Sequence, residues 1–214
     1  MIFAMPEIFI LQNAVVRLEP LSESHIPALL RIAESAPETT YALTSVPPTL
    51  KGMTAYVRAA LEAREQGSAV PFATVSSATG EVVGSTRFGN IERWAWAEGN
   101  PLRKPDGSPD AAEIGWTWLA LSAQRTGINT STKYLMLRHA FETWRVRRMT
   151  LKTDARNAQS RNAILRIGAQ FDGILRAHVP ASDGGIRDSA MFSILQSEWS
   201  DVKARLEAMI GFRG

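Results

Sequence analysis

The sequence of 214 residues contains no cysteine. Disulfide bridges, thiolate metal sites and cysteine nucleophiles are therefore excluded, and the composition fits a protein of a reducing compartment. An excess of one charge is also missing, because 24 basic residues face 21 acidic ones and leave a net charge of +3. This balance is far from that of a histone-like polycation, and it suits a small anionic ligand as well as a nucleic acid.

Long hydrophobic runs are absent as well, and no stretch reaches the length of a membrane span. The apolar segment at residues 1–10 has no basic residue, contains Pro6 and Glu7, and lacks a small-residue cleavage site. By these criteria it is not a signal peptide. We therefore expect a cytoplasmic protein that does not bind a membrane.

The length and composition suit one α/β domain with a full core. Hydrophobic residues make up 45% of the chain and charged residues 21%, which is ordinary for a globular protein. No internal repeat, low-complexity tract or clean linker divides the chain, so a single domain is predicted over residues 1–214. An irregular insert at residues 91–110 is rich in proline, glycine and tryptophan. We expect it to cover a binding site, form a dimer contact or pack into the core.

The hydrophobic periodicity predicts an alternation of strands and helices. Strands are predicted at residues 14–19, 70–76, 81–88, 112–121, 149–154, 171–179 and 188–195. Helices are predicted at residues 22–34, 54–66, 131–144, 160–167 and 198–209. In the third helix, Tyr134, Leu137 and Phe141 share an apolar face, and Lys133 is predicted to face elsewhere.

The most informative segment is the turn between the fourth predicted strand and the third predicted helix. It reads Gln124-Arg125-Thr126-Gly127-Ile128-Asn129. A strand that ends in a polar, glycine-containing turn and leads into a helix directs several backbone N–H groups at one spot, where the helix dipole adds positive potential. Such junctions are common, but this one predicts a pyrophosphate site because a strongly basic segment lies shortly after it in the chain.

Seven basic side chains lie between residues 145 and 166, and within that stretch only Asp154 opposes them. They are Arg145, Arg147, Arg148, Lys152, Arg156, Arg161 and Arg166. Such a field would hold a ligand with several phosphates, although a solvated face is the better interpretation of any single arginine. Nucleic-acid binding is an alternative, but the sequence lacks a helix-turn-helix, RNA-motif aromatics and a zinc site. We therefore predict no nucleic-acid partner.

Five motifs in this chain resemble those of the GNAT acyltransferase superfamily, in particular its ribosomal-protein-alanine N-acetyltransferase branch. The family turn Gln/Arg-x-x-Gly-x-Gly/Ala is similar to Gln124-x-x-Gly127-x-Asn129, and the family's Asn-x-x-Ser helix start is similar to the segment from Asn157 to Ser160. The three other motifs are Gly173-Ile174-Leu175-Arg176, Arg187-Asp188 and Glu198-Trp199. The five occur in family order over nearly the whole chain.

The resemblance implies a mixed, strongly twisted sheet with helices on both faces, and coenzyme A (CoA) bound where two central strands splay apart. Asn157 would bond the pantetheine arm or brace a splayed strand. After Gln124, the pyrophosphate would be held by the backbone amides of Arg125, Thr126, Gly127, Ile128, Asn129 and Thr130. Asn129 stands where the family usually has Gly or Ala, so its side chain either bonds a phosphate or partly fills the site.

The family reaction is direct attack of an amine on the thioester of acetyl-CoA, without a metal. The resemblance thus implies an N-acetyltransferase, a monomer or homodimer, acting on a protein N-terminus or a small-molecule amine. The reaction needs a neutral amine, a donor to the thioester carbonyl and a proton for the thiolate. An α-amine with a pKa of ~7.7–8.0 is partly neutral at pH 7, whereas deprotonating a lysine of pKa ~10.4 costs about 4–5 kcal/mol. A lysine acceptor therefore requires a base far more than an N-terminus does.

Glu113 is the predicted general base. It opens the strand eleven residues before Gln124, and a glutamate at this spacing resembles the base of the family's histone-acetylating members. Its neighbours Ile114, Gly115 and Trp116 could exclude water from it. A strand-end glutamate that makes an ordinary hydrogen bond is the equally weighted alternative.

Ser160 is the predicted acid or partner of the thiolate. Many members of the family carry a tyrosine where this chain has Ile164, and in the alanine-acetylating branch the serine resembles a replacement for it. The other interpretation of Ser160 is a helix-capping hydroxyl. His178 is predicted as a reserve base. Because Asn129 and Ile164 depart from the family pattern, a CoA-binding regulatory domain without turnover stays open.

Overall fold

The computed structural model describes residues 8–211. Eight strands form one mixed sheet in the order β1-β2-β3-β4-β5-β6-β8-β7. They are β1 (Leu11–Gln12), β2 (Val16–Pro20), β3 (Val70–Ser76), β4 (Val82–Glu92), β5 (Ala111–Leu119), β6 (Arg148–Asp154), β7 (Gln170–Pro180) and β8 (Ile186–Leu195). All seven predicted strands are present, and the two-residue β1 is an addition. Most of the segment at residues 1–10 lies outside the described residues.

Within the described part of the chain, five α-helices accompany the sheet, as predicted. They are α1 (Ile26–Ser35), α2 (Leu50–Glu65), α3 (Ile128–Arg138), α4 (Ala158–Arg166) and α5 (Trp199–Ile210). Helix α2 begins four residues before its predicted start, because the side chain of Thr49 accepts a hydrogen bond from the Gly52 N–H at 3.2 Å and caps the helix there. Among residues 8–211, no helix is long and apolar enough to cross a bilayer.

The helices cover both faces of the sheet, which confirms the predicted α/β architecture. On one face, α1 and α2 enclose a core that includes Leu29, Met53 and Trp118. On the other face, α3 and α5 enclose a larger core that includes Leu135 and Leu206. The part of the first face that β6 and β8 form carries polar residues, because α1 and α2 pack against the opposite half of the sheet.

The two parallel strands at the centre of the sheet separate after a short paired stretch. β5 and β6 pair at three positions, the last of which is Glu113 opposite Thr150. Beyond that position β5 continues to Leu119 and β6 to Asp154 without further pairing to each other. This gap, which we call the wedge, confirms the predicted splay. Since parallel strands end at the same edge of a sheet, the wedge opens toward the starts of α3 and α4.

Candidate active site

The predicted phosphate turn leads into α3 through two residues with left-handed backbone geometry. Arg125 has a φ of 62°, and Gly127, the N-cap of α3, has a φ of 86°. The first helical hydrogen bond runs from the Ser131 N–H to the Gly127 carbonyl, at 2.9 Å. The amides of residues 128–130 therefore have no acceptor inside the helix, and they point out of its N-terminus with the positive end of the helix dipole.

Two side chains of the turn stabilise it from within. The Gln124 amide donates to the Leu119 carbonyl at 3.1 Å, and the Thr126 hydroxyl donates to the Ala123 carbonyl at 2.7 Å. Both bonds tie the turn back to the end of β5. The turn thus holds its shape through its own side chains, and its amides stay available to a ligand.

Three buried side-chain oxygens in the first turns of α3 have no hydrogen-bond partner among the described residues. They are Asn129 Oδ1, Ser131 Oγ and Thr132 Oγ1. A buried polar atom without a partner costs about 1–3 kcal/mol, so native proteins usually supply one. A polar ligand at the start of α3 would satisfy these atoms, and this donor and acceptor set fits a phosphate and an amide-rich arm.

The basic cluster does not act as one field, and this corrects the sequence analysis. Five of its seven members form ion pairs with six carboxylates, five of which lie outside the cluster's stretch of sequence. The pairs are Arg145–Asp106, Arg147–Asp110, Arg148–Asp172, Lys152–Glu113, Arg156–Asp154 and Arg156–Asp183. These side chains are spread over several strands and loops, and carboxylates of the same molecule already neutralise most of them.

Arg166, at the last turn of α4, is the cluster member that reaches the phosphate turn. Its guanidinium donates to the Thr130 hydroxyl at 3.3 Å. This contact joins the end of α4 to the start of α3 across the mouth of the wedge. Arg166 is exposed, so its charge lies beside the amides of residues 128–130 in a position open to an anion.

The start of α4 corrects one interpretation of Ser160. Asn157 is the N-cap, and its Oδ1 accepts a hydrogen bond from the Ser160 N–H at 2.9 Å. Ser160 is the third residue of the helix, so its hydroxyl does not cap it. Ile164 is buried in the core at 7% exposure, which leaves no polar group at that position.

Glu113 lies at the base of the wedge, buried to 4% exposure. Its Oε2 accepts hydrogen bonds from Lys152 Nζ at 2.9 Å and from Asn90 Nδ2 at 2.8 Å. No described residue donates to Oε1, which lies over Gly115, where an added Cβ would come within 2.6 Å of it. Because Gly115 has no side chain, there is space for this oxygen above it.

A cavity of about 220 Å³ opens beside Glu113. It is lined by Asn90, Glu92, Ala112, Glu113, Thr150, Lys152, His178 and Met191. The cavity brings Glu113 and the reserve base His178 together, and Ser160 is not part of its lining. His178 Nδ1 lies 3.0 Å from Ser189 Oγ, which fixes the ring. A larger cavity, of about 580 Å³, lies between the end of α2 and the start of the insert and contains none of the predicted site residues.

Further cations surround the Glu113 carboxylate. Burial lowers the pKa of Arg87 and of Arg187, and the negative charge of Glu113 opposes that shift in both. The Arg87 guanidinium stacks 3.9 Å from the ring of Trp116, a residue with a φ of 51°. The carboxylate is thus embedded in positive charge as well as being hydrogen-bonded.

Asn90 and the pairing of Lys152 with Glu113 were not predicted from the sequence. Asn90 lies at the end of β4 with a φ of 45°, and no motif marks it. Lys152 follows Thr150, the partner of Glu113, by two residues, so it lies on the same face of the sheet. The strand register would have shown this, but the register of a parallel pair cannot be read from one sequence.

Asp110, at the end of the insert and 3% exposed, holds the two ends of the insert together. Its carboxylate accepts hydrogen bonds from the Trp94 backbone N–H at 2.9 Å and from the Trp96 indole at 3.2 Å. Strand β4 runs to Glu92, so the irregular segment begins at Arg93 rather than at residue 91. At least part of the insert is thus fixed by buried hydrogen bonds.

Comparison with known proteins identifies related sequences and structures. A family model described as an acetyltransferase (GNAT) domain matches residues 16–170. A solved acetyltransferase from T. thermophilus is 33% identical, with a TM-score of 0.76 over 98% of this chain and 100% of that one. No curated protein matches the chain.

Two more distant structures share the fold. Mycobacterium smegmatis RimJ, solved in complex with CoA-disulfide, is 22% identical, with a TM-score of 0.74 over 94% of this chain and 93% of that one. A Salmonella typhimurium acetyltransferase that modifies the N-terminal serine of ribosomal protein L7/L12 is 20% identical, with a TM-score of 0.70 over 87% and 99%. The neighbours thus include members of the branch that the sequence motifs indicated.

Proposed function

Since this chain belongs to the GNAT acetyltransferase family, we propose that it moves an acetyl group from acetyl-CoA to a primary amine by direct attack. The observation that carries the proposal is the wedge, with unpaired amide donors at its mouth and a buried carboxylate at its base. Acetyl-CoA supplies the activated acyl group. The chain supplies donors for the phosphates, a proton acceptor and a gap between two strands that can position the reactants.

On the coenzyme side, the amides from Arg125 to Thr130 would bind the pyrophosphate, with Arg166 adding its charge. The buried oxygen of Asn129 would accept a hydrogen bond from an N–H or O–H group of the bound molecule, and the Ser131 and Thr132 hydroxyls would donate to its oxygens. The Asn157 oxygen is occupied by its helix cap, so its side-chain nitrogen would be the group that contacts the pantetheine arm. We keep Ser160 as a candidate contact to the sulfur, since its hydroxyl is not needed for capping.

On the acceptor side, the cavity beside Glu113 would hold the amine. Glu113 Oε1 would take the proton that the nitrogen loses, while Lys152 and Asn90 hold Oε2 in place. An α-amine fits this arrangement better than a lysine, because an α-amine already loses its proton near neutral pH and therefore needs less help from a base. We therefore propose a protein N-terminus or a small α-amine as acceptor, acted on in the cytoplasm by a monomer or homodimer.

Calorimetric titration with CoA and a thiol-release assay test the proposal together. We expect CoA to bind at submillimolar concentration. We also expect thiol release from acetyl-CoA to depend on an added amine, in a panel of peptides with varied N-termini and of small amines. If CoA binds and no acceptor in the panel releases thiol, the alternative of a CoA-binding regulatory domain replaces this proposal. If CoA does not bind, both are wrong.

A further inference from the structure

Lys133 is a buried lysine that the proposed reaction has not yet used. It lies on α3, one helical turn beyond the amides of residues 128–130, and its exposure is 7%. Its Nζ donates a hydrogen bond to Thr117 Oγ1 at 2.8 Å. Thr117 belongs to the part of β5 that has separated from β6. The Lys133 ammonium group therefore extends from α3 to β5, the strand that forms one wall of the wedge.

The hydrogen bond of the Lys133 ammonium group lies on that wall. Thr117 Oγ1 lies 2.7 Å from Thr86 Oγ1, so two hydroxyls continue from the lysine toward β4. No carboxylate of the described residues forms an ion pair with Lys133. Around it α3 contributes to the large apolar core. A methionine would fill such a place without the desolvation of a charge, so packing gives no reason for a lysine here.

Few charged groups on the neighbouring elements act on Lys133. From β5, Glu113 acts on it through space, and this is the charge that influences it most. From α5, Glu207 is bonded to Tyr134, and from α4, Arg166 is bonded to Thr130. Burial lowers the pKa of Lys133 to about 7, and the negative charge of Glu113 opposes that shift.

We propose that Lys133 is a catalytic residue that donates a proton to the leaving thiolate of CoA. The proposal rests on the proposed function above. The acceptor nitrogen forms a bond to the carbonyl carbon, the carbon–sulfur bond breaks, and its electron pair stays on sulfur. The Lys133 ammonium gives one proton to that sulfur and becomes a neutral amine. The proton that the acceptor nitrogen loses passes to Glu113 or to solvent, and Lys133 is protonated again from solvent before the next turnover.

The acidity of Lys133 suits this role. A thiol has a pKa of ~8.5, so transfer from a group with a pKa of about 7 is downhill by roughly 1.5 units. Transfer from an ordinary lysine, with a pKa of ~10.4, would be uphill by roughly 2 units. Near pH 7 about half of the Lys133 side chains carry the proton, which is the condition for an efficient general acid.

The experiment compares Lys133→Met and Lys133→Arg with the wild type and with Tyr134→Phe, a control on the same helix that faces α5. We expect Lys133→Met to lower kcat about 10²-fold or more, with the calorimetric Kd for CoA changed less than about 3-fold. The wild-type pH profile of kcat should fall above a pKa near 7, and this limb should be absent in both Lys133 variants. Tyr134→Phe should keep both kcat and the limb.

A second readout does not depend on turnover. The side-chain carbon signals of lysine, followed by NMR in the wild type and in Lys133→Met, should contain one resonance that titrates near pH 7 and is missing from the variant. If Lys133→Met keeps the wild-type kcat and pH profile, the proposal is wrong while the acetyltransferase function stands. If Lys133→Arg keeps kcat, the group acts as a fixed charge and proton donation is wrong. If Lys133→Met loses CoA binding in step with kcat, the lysine has a binding role and proton donation is again wrong.

Discussion

The two sides of the wedge differ in how well their polar groups are satisfied. At the start of α3, amide donors and the buried oxygens of Asn129, Ser131 and Thr132 have no partner among residues 8–211. At the base of the wedge, the Glu113 carboxylate is held by Lys152 and Asn90. The start of α3 needs a ligand to complete its hydrogen bonds, whereas the base of the wedge keeps its geometry without one. A ligand should therefore stabilise the start of α3, and the carboxylate at the base of the wedge should act on the amine that is bound beside it.

This difference predicts two kinds of mutational effect. Changes at the phosphate turn, such as those at Asn129 and Arg166, should alter the affinity for CoA and leave the chemical step almost unchanged. Changes at the base of the wedge should alter kcat and leave CoA affinity almost unchanged. Single substitutions on either side then show whether one side can be altered without the other.

The largest effect is expected from Glu113→Gln. A glutamine keeps the hydrogen-bonding shape but cannot take the proton, so kcat should fall by ~10²–10⁴-fold while the Kd for CoA stays within about 2-fold. Steady-state kinetics and calorimetry give the two numbers. Glu142→Gln is the matched control, because Glu142 pairs with Lys203 on the other face of the molecule. An unchanged rate at every pH would show that Glu113 is not the base.

A stability effect is expected at Lys133, between the two sides. Its pKa is about 7 in the folded protein and ~10.4 in the unfolded chain, so between these values only the unfolded chain holds the proton. The wild type should therefore gain stability as the pH rises from 7 to about 10. Lys133→Met lacks this ionisation, so the excess of its unfolding free energy over that of the wild type should be largest below pH 7, roughly 4–5 kcal/mol, and should vanish near pH 10.5.

Denaturant unfolding at pH 6.5 and pH 10 measures this difference. The control is Lys51→Met, because Lys51 is an exposed lysine on α2. The difference in unfolding free energy between Lys51→Met and the wild type should be the same at the two pH values. If the difference between Lys133→Met and the wild type also does not change with pH, it would contradict the burial of a titrating lysine at this place.

A smaller effect is expected from Arg166→Ala. Because Arg166 is a cation of the basic cluster that reaches the phosphate turn, its loss should raise the Kd for CoA ~3–10-fold, and less at high salt. Arg145→Ala, which removes an arginine already paired with Asp106, is the control and should leave the Kd unchanged. Equal losses in the two variants would restore the original interpretation of the cluster as one field.

The smallest effect is expected from Asn129→Ala. If the buried amide completes its hydrogen bonding on CoA, its removal should weaken binding about 3-fold, with kcat unchanged. If the side chain instead obstructs the site, CoA should bind more tightly. Calorimetry distinguishes the two by the sign of the change, and tighter binding would remove Asn129 from the coenzyme contacts.

Local sequence patterns were enough to predict most of the fold. The strands, the helices and the glycine-containing turn before α3 are decided within a few residues of chain, and they appear within a few residues of their predicted positions. The left-handed geometry of Gly127 and the capping role of Asn157 were not predicted. The hydrogen-bond partners of Glu113 could not be predicted in this way, because Asn90 and Lys152 belong to two other strands. The ion pairs of the basic cluster were also missed, because Arg148 and Asp172 are brought together only by the sheet.

Lys133 shows the limit of periodicity most clearly. The helical pattern predicted that it faces away from the apolar side of α3, yet every residue from Thr130 to Leu137 is buried. The sheet covers one side of this helix and α5 covers another, so a polar residue outside the apolar stripe is still enclosed. Only the tertiary structure decides whether a lysine on such a helix meets water or the wedge.

The most direct test of the account is calorimetric titration of the wild type with CoA and, separately, with pantetheine, which lacks the pyrophosphate. We expect submillimolar binding of CoA and at least about 10-fold weaker binding of pantetheine, because pantetheine brings no anion to the amides of residues 128–130. Equal affinities, or no binding of CoA, would contradict a pyrophosphate site at the start of α3.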